Sequence, residues 1–158
     1  MQPKLLKYLL PTLGAILLTT TLKSPALSQS EAQFLTQKGH EQLAAGNAEA
    51  ALKTWQEAME IYASFNDREG IKGSQINQSL ALQTLGQLPR ACQVLLTALS
   101  IADNGQLCQT SADDNLIVSA EPKLLINAVA WRRLGDVFRG LGKLENSETA
   151  LLYSLEKA

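Results

Sequence analysis

Residues 131–158 constrain this chain more than any other stretch. Their large and small residues fall in a fixed order: Trp131-x2-Leu134-Gly135-x2-Phe138, then Gly142-x-Leu144-x2-Ser147-x3-Leu151-x2-Ser154. Spacings of three and four place these residues on one face of each of two helices. Gly135 removes a Cβ and lets a neighbouring helix approach closely, and Gly142 supplies the turn that folds the second helix back on the first. The pattern predicts a helix–turn–helix hairpin with an apolar interior.

Two earlier segments repeat that order less completely. In residues 32–65, Leu35 stands for Trp131, Gly39 for Gly135, Gly46 for Gly142, Ala51 for Ser147, Trp55 for Leu151 and Ala58 for Ser154. Lys38 replaces Leu134 and Gln42 replaces Phe138, which predicts a weaker first helix. In residues 72–102, Ile76, Ser79, Leu80 and Leu82 form the first helix, Gly86 the turn, and Leu88, Ala91, Leu95, Ala98 and Leu99 the second apolar face. Gly46 and Gly86 lie 40 residues apart, and the polar cluster 66–70 predicts that the extra length is an extended link outside the helices. Residues 103–120, with turn chemistry at Asp103-Asn104-Gly105, predict an insertion loop. The third unit, 121–158, begins with Pro122 in its first turn, where a missing N–H costs nothing.

A hairpin of about 34 residues with this order resembles the tetratricopeptide repeat (TPR) family. The resemblance implies an all-α fold, a superhelix of about three helix–turn–helix units, and a protein-interaction scaffold with no catalytic role and no cofactor. In that family, side chains of the first helix of each unit face a groove that holds a partner. The matching positions here are Gln33, Thr36, His40 and Leu43; Ile76, Asn77, Leu80 and Gln83; and Val129, Arg132, Arg133, Asp136 and Arg139. The family's clamp for a C-terminal carboxylate is matched only at Asn77 and Arg133, while Thr36, His40 and Val129 depart from it. Arg132, Arg133 and Arg139 offer donors to an acidic protein or peptide, although a solvated helix face explains the same arginines.

The composition, rich in Ala, Gln and Leu and poor in aromatics, together with an export signal and long links, also resembles the N-terminal region of cyanobacterial repeat proteins that continue into a caspase-like (CHAT) domain. That likeness implies a regulatory arm of a peptidase as an alternative function. A self-assembling module is a further alternative, because the last hairpin reaches Ala158 without a polar capping helix and solenoid ends ordinarily carry one.

Residues 1–28 are read apart from the fold. Lys4 and Lys7 precede an apolar run at 8–22, and Ala26-Leu27-Ser28 offers small residues for cleavage after Ser28. This predicts a secretory signal and a periplasmic or extracellular location; the other reading is an uncleaved N-terminal anchor. Without Lys4, Lys7 and Lys23 the remainder has 11 basic against 15 acidic side chains, a net charge of −4. That balance argues against nucleic acid, and beyond the leader no apolar run is long enough to span a membrane.

The two cysteines, Cys92 and Cys108, are open to two readings. In an oxidising compartment they form a disulfide; otherwise Cys92 is a buried apolar thiol and Cys108 a separate one. Enzyme motifs fail individually. His40-Glu41-x2-Ala44 lacks the second ligand of a zinc helix, His40 is the only histidine, and Gly135-x4-Gly140-Leu141-Gly142-Lys143 has no strand before it. No metal site is expected.

Overall fold

The computed structural model describes residues 25–102, 106–109 and 125–157, with side chains from 29 to 156 within those ranges. The leader up to residue 24, most of the insertion and Pro122 lie outside the described residues. Six α-helices follow in order: α1 Pro25–Ala44, α2 Ala48–Ser64, α3 Arg68–Thr84, α4 Leu88–Ala98, α5 Leu125–Gly140 and α6 Leu144–Lys157. Each packs on the next, and α3 also touches α5. The first helices of the three hairpins (α1, α3, α5) therefore form one layer and the second helices (α2, α4, α6) the other. The described chain is all-α, as the repeated order predicted.

Helices α1 to α5 end in the same way, and this sets the repeat. The residue just past the end takes a left-handed backbone: Gly46 (φ 80°), Asn66 (55°), Gly86 (70°), Ser100 (56°) and Gly142 (80°). The following N–H then bonds back five residues, from Asn47 to the Gln42 carbonyl at 2.8 Å, Asp67 to Tyr62 at 3.0 Å, Gln87 to Leu82 at 2.8 Å, Ile101 to Leu96 at 2.9 Å and Lys143 to Phe138 at 2.9 Å. This closure satisfies carbonyls that a helix end leaves unpaired. The glycines at three of these sites are visible in the sequence. Asn66 and Ser100 do the same work without a glycine's freedom, Asn with the better tolerance.

The cluster at 66–70 corrects the expectation of an extended link. Asp67 is the N-cap of α3, its Oδ1 accepting the Gly70 N–H at 2.9 Å, and Arg68–Gly70 is already helical. The 40-residue spacing is taken up inside the helices: α2 and α3 each have 17 residues, joined by a three-residue turn. Likewise α1 extends N-terminally to Pro25, ahead of the first unit's expected start at residue 32. Asp67→Ala is expected to cost about 1 kcal/mol by removing the cap, read as a lower urea midpoint with an unchanged slope.

The interior is continuous through the second and third hairpins. Leu82, Leu95, Leu96, Leu99, Trp131, Leu134, Val137 and Phe138 are buried together, with Cys92 and Cys108 among them. Cys92 on α4 is bonded to Cys108 (S–S 2.05 Å, Cα–Cα 5.5 Å), which settles the two readings in favour of a disulfide and pins 106–109 with Leu107 against the core. Smaller clusters hold α1 to α2 and α2 to α3: Ala32, Ala58 and Tyr62 in one, Ala51, Trp55 and Ala81 in the other. Helix α1 approaches so closely that a Cβ on Gly39 would stand 2.3 Å from the Trp55 indole nitrogen. The approach lets that N–H donate to the Thr36 carbonyl at 3.0 Å.

Lys38, one of the two departures from the repeat, has a physical reason. Its equivalents Gln78 and Leu134 are buried beneath the preceding hairpin. Among the described residues nothing precedes α1, so Lys38 is exposed and a charge is tolerated there.

Candidate functional site

The register of α3 shows which faces are covered. Toward α2, Gly70 abuts the Tyr62 ring, the Gln78 side-chain amide donates to the Trp55 carbonyl at 3.3 Å, and Ala81 packs on Ala51 and Trp55. Toward α5, Lys72 Nζ donates to Asn127 Oδ1 at 2.6 Å and Gly73 lies beside Ile126. Toward α4, Leu82 enters the main core. Positions three and four apart share a helix face, and the row left over is Asn77, Leu80 and Thr84, half-buried or exposed.

Unit-to-unit shifts of 40 residues, Gly46 to Gly86, and 56 residues, Gly86 to Gly142, carry this row to the other first helices. Gln37, Asn77 and Arg133 then occupy one equivalent position, and His40, Leu80 and Asp136 the next. The outer face of α1, α3 and α5 thus carries two ladders, one of amides and a guanidinium, the other an imidazole, an isobutyl group and a carboxylate. Five of the thirteen groove positions read from the family pattern, His40, Asn77, Leu80, Arg133 and Asp136, sit on these ladders.

Two more of those positions, Arg139 and Arg132, sit elsewhere or are already engaged. Arg139 is exposed and forms an ion pair with Asp136 one turn away. Such an exposed pair contributes little to stability, but it neutralises the lower rung locally. Arg132 lies on the wall of a separate groove between α5 and α6. His40 is exposed and rests edge-on against Trp55, ring centroids 5.1 Å apart at 69°.

Several further positions named from the family pattern are used by the fold. The Thr36 hydroxyl donates to the Ala32 carbonyl at 2.8 Å, Leu43 packs on the Ala51–Trp55 cluster, and Ile76 is core. The nitrogen of the Gln83 amide is buried. Gln33 is exposed, and Val129 lines the α5–α6 groove.

One polar feature escapes sequence reasoning. Lys72 and Asn127, 55 residues apart, meet in a cleft of about 480 Å³ shared with Arg68, Glu69, Gln75 and Ile126. Asn127 falls in an apolar stretch and is 1% exposed. Its only sequence signal is a polar residue at an apolar position, which a buried hydrogen bond explains.

The ladders offer donors, acceptors and apolar contact on a rigid frame, which suits non-covalent recognition. Among the described residues no three His, Cys, Asp or Glu side chains gather to hold a metal ion, and no helix is long and apolar enough to cross a membrane.

No protein-family model matches the sequence, and no curated protein matches it. Among solved structures, the TPR domain of Arabidopsis FLU is similar to this chain, with a TM-score of 0.62 at 19% identity, covering 82% of this chain and 96% of that one. The fold is therefore a TPR-like α superhelix.

Proposed function

We propose that this chain is an exported interaction scaffold whose first-helix face, carrying the ladders Gln37–Asn77–Arg133 and His40–Leu80–Asp136, holds a protein or peptide partner. The observation that carries the reading is the uncovered row on α3, repeated in register on α1 and α5. Repeat frames of this kind display side chains over an extended surface without bond chemistry. The Cys92–Cys108 bond supports an oxidising, extracytoplasmic compartment, where such bridges persist. The apolar run at 8–22 after Lys4 and Lys7 supports export by a leader.

The test is affinity capture of partners from the native extracytoplasmic fraction, followed by titration of the captured partner. Asn77→Ala combined with Arg133→Ala is expected to weaken binding by roughly tenfold or more with the melting temperature unchanged, from two lost polar contacts. Arg139→Ala, which removes a side chain already paired with Asp136, is expected to change affinity by less than about twofold. Equal binding by the double variant and the parent contradicts the reading.

A further inference from the structure

The described surface exposes six large apolar side chains, and all lie at the two ends of the stack. Leu125, Val129, Leu144, Leu152 and Leu155 are on α5 and α6, and Phe34, 66% exposed, is on α1. Between α5 and α6 runs a groove of about 390 Å³ with Leu125, Val129, Arg132, Leu151 and Leu155 in its walls. The 56-residue shift carries these residues back to Glu69, Gly73, Ile76, Leu95 and Leu99. Glu69 and Gly73 lie where α3 meets α5, and Ile76, Leu95 and Leu99 belong to the core that α5 joins. One repeat earlier, then, the same groove is filled by a first helix.

The other end has the matching shape. Phe34 is equivalent to Ser74 and Ala130, which are 1% and 0% exposed because α3 and α5 seat that row on the preceding hairpin. We propose that a second copy of this chain seats its α1 in the α5–α6 groove, head to tail, as α5 seats on α3 and α4 within one chain. The occupant is fixed by register and charge. Lys72 meets Asn127 and Gly73 meets Ile126 along two parallel helices. Carried forward one repeat, that offset sets Arg132 of one copy beside Phe34 of the next.

A cation over an aromatic face is favourable. Arg132 is exposed in the wall of the α5–α6 groove. A head-to-tail contact leaves one free end on each copy, and the product is an open series rather than a closed dimer. This assembly goes beyond the partner-binding face, which lies on a different side of the first helices and remains open along the series.

The test uses the full 158-residue chain, a 17.1 kDa monomer, with Phe34→Asp at one end and Leu155→Asp at the other. Both side chains are exposed, and unchanged circular dichroism and melting confirm that each variant folds. In sedimentation up to roughly 0.3 mM, the parent is expected to form dimers and larger species in a concentration-dependent series. Each variant alone is expected to show a dissociation constant raised by roughly tenfold or more. An equal mixture of the two retains one intact head and one intact tail, so it should give a heterodimer and nothing larger. A strictly monomeric parent overturns the proposal. Association of Phe34→Asp but not Leu155→Asp points to a tail-to-tail dimer and overturns it equally, as does undiminished association of both variants through the leader or another surface.

Discussion

Trp131→Ala is expected to lower stability by about 3–5 kcal/mol, the cost of emptying a fully buried indole site. Trp131 is 0% exposed, lies among Leu95, Leu134 and Phe138, and stacks on Tyr153 with ring centroids 5.0 Å apart. It joins α5 to α4 and α6, so the loss falls on the contact between the second and third hairpins as well as on the third alone. A small domain has a total margin of about 5–15 kcal/mol, and this variant uses a large part of it. Trp131→Phe is expected to cost less than half as much. It keeps a ring against Tyr153 and removes an indole N–H that finds no acceptor among the described residues, a penalty to the parent. Urea unfolding of the three proteins measures this; equal losses for Phe and Ala are the contrary outcome.

Removing the disulfide is expected to have the next largest effect. Cys92 and Cys108 are 16 residues apart, and closing a loop of that size is worth roughly 3 kcal/mol in the chain-entropy model, on the order of 10 °C in melting temperature. The effect reaches beyond entropy, because the bridge holds Leu107 and Cys108, within the insertion, in the core. A reductant should therefore lower the melting temperature of the parent by about that amount. The Cys92→Ala/Cys108→Ala double variant should melt at the lower temperature and ignore the reductant. A parent that melts identically with and without reductant contradicts a structural role for the bond.

The hairpins were legible in the sequence because each is written in a few residues that local physics demands. Gly46, Gly86 and Gly142 mark left-handed turns, Gly39 and Gly135 mark close approaches, and Trp55 and Trp131 mark the core. Helix ends were less legible. The polar run 66–70 reads as a loop by composition, but Asp67 is a cap and Gly70 is there because a Cβ would strike the Tyr62 ring 2.3 Å away.

The candidate site was legible only as a set of helical positions. Which of them stay open depends on what each neighbouring helix covers. Thr36, Leu43 and Ile76 share helical spacing with His40 and Leu80, but the Thr36 hydroxyl bonds back to its own helix and Leu43 and Ile76 are consumed by α2 and the main core. Arg132 is turned toward an end groove that no periodicity reveals. The pair Lys72–Asn127 depends on two units packing side by side, a contact across 55 residues with no local trace.

The claim that a partner binds on the ladder face is tested most directly by site-specific photocrosslinking in the native compartment. A photoreactive residue at Asn77, on the open row of α3, should capture the partner. The same residue at Gln93, exposed on α4 in the opposite layer, should capture little or none. Capture at Gln93 with none at Asn77 would contradict the account and place recognition on the second-helix face.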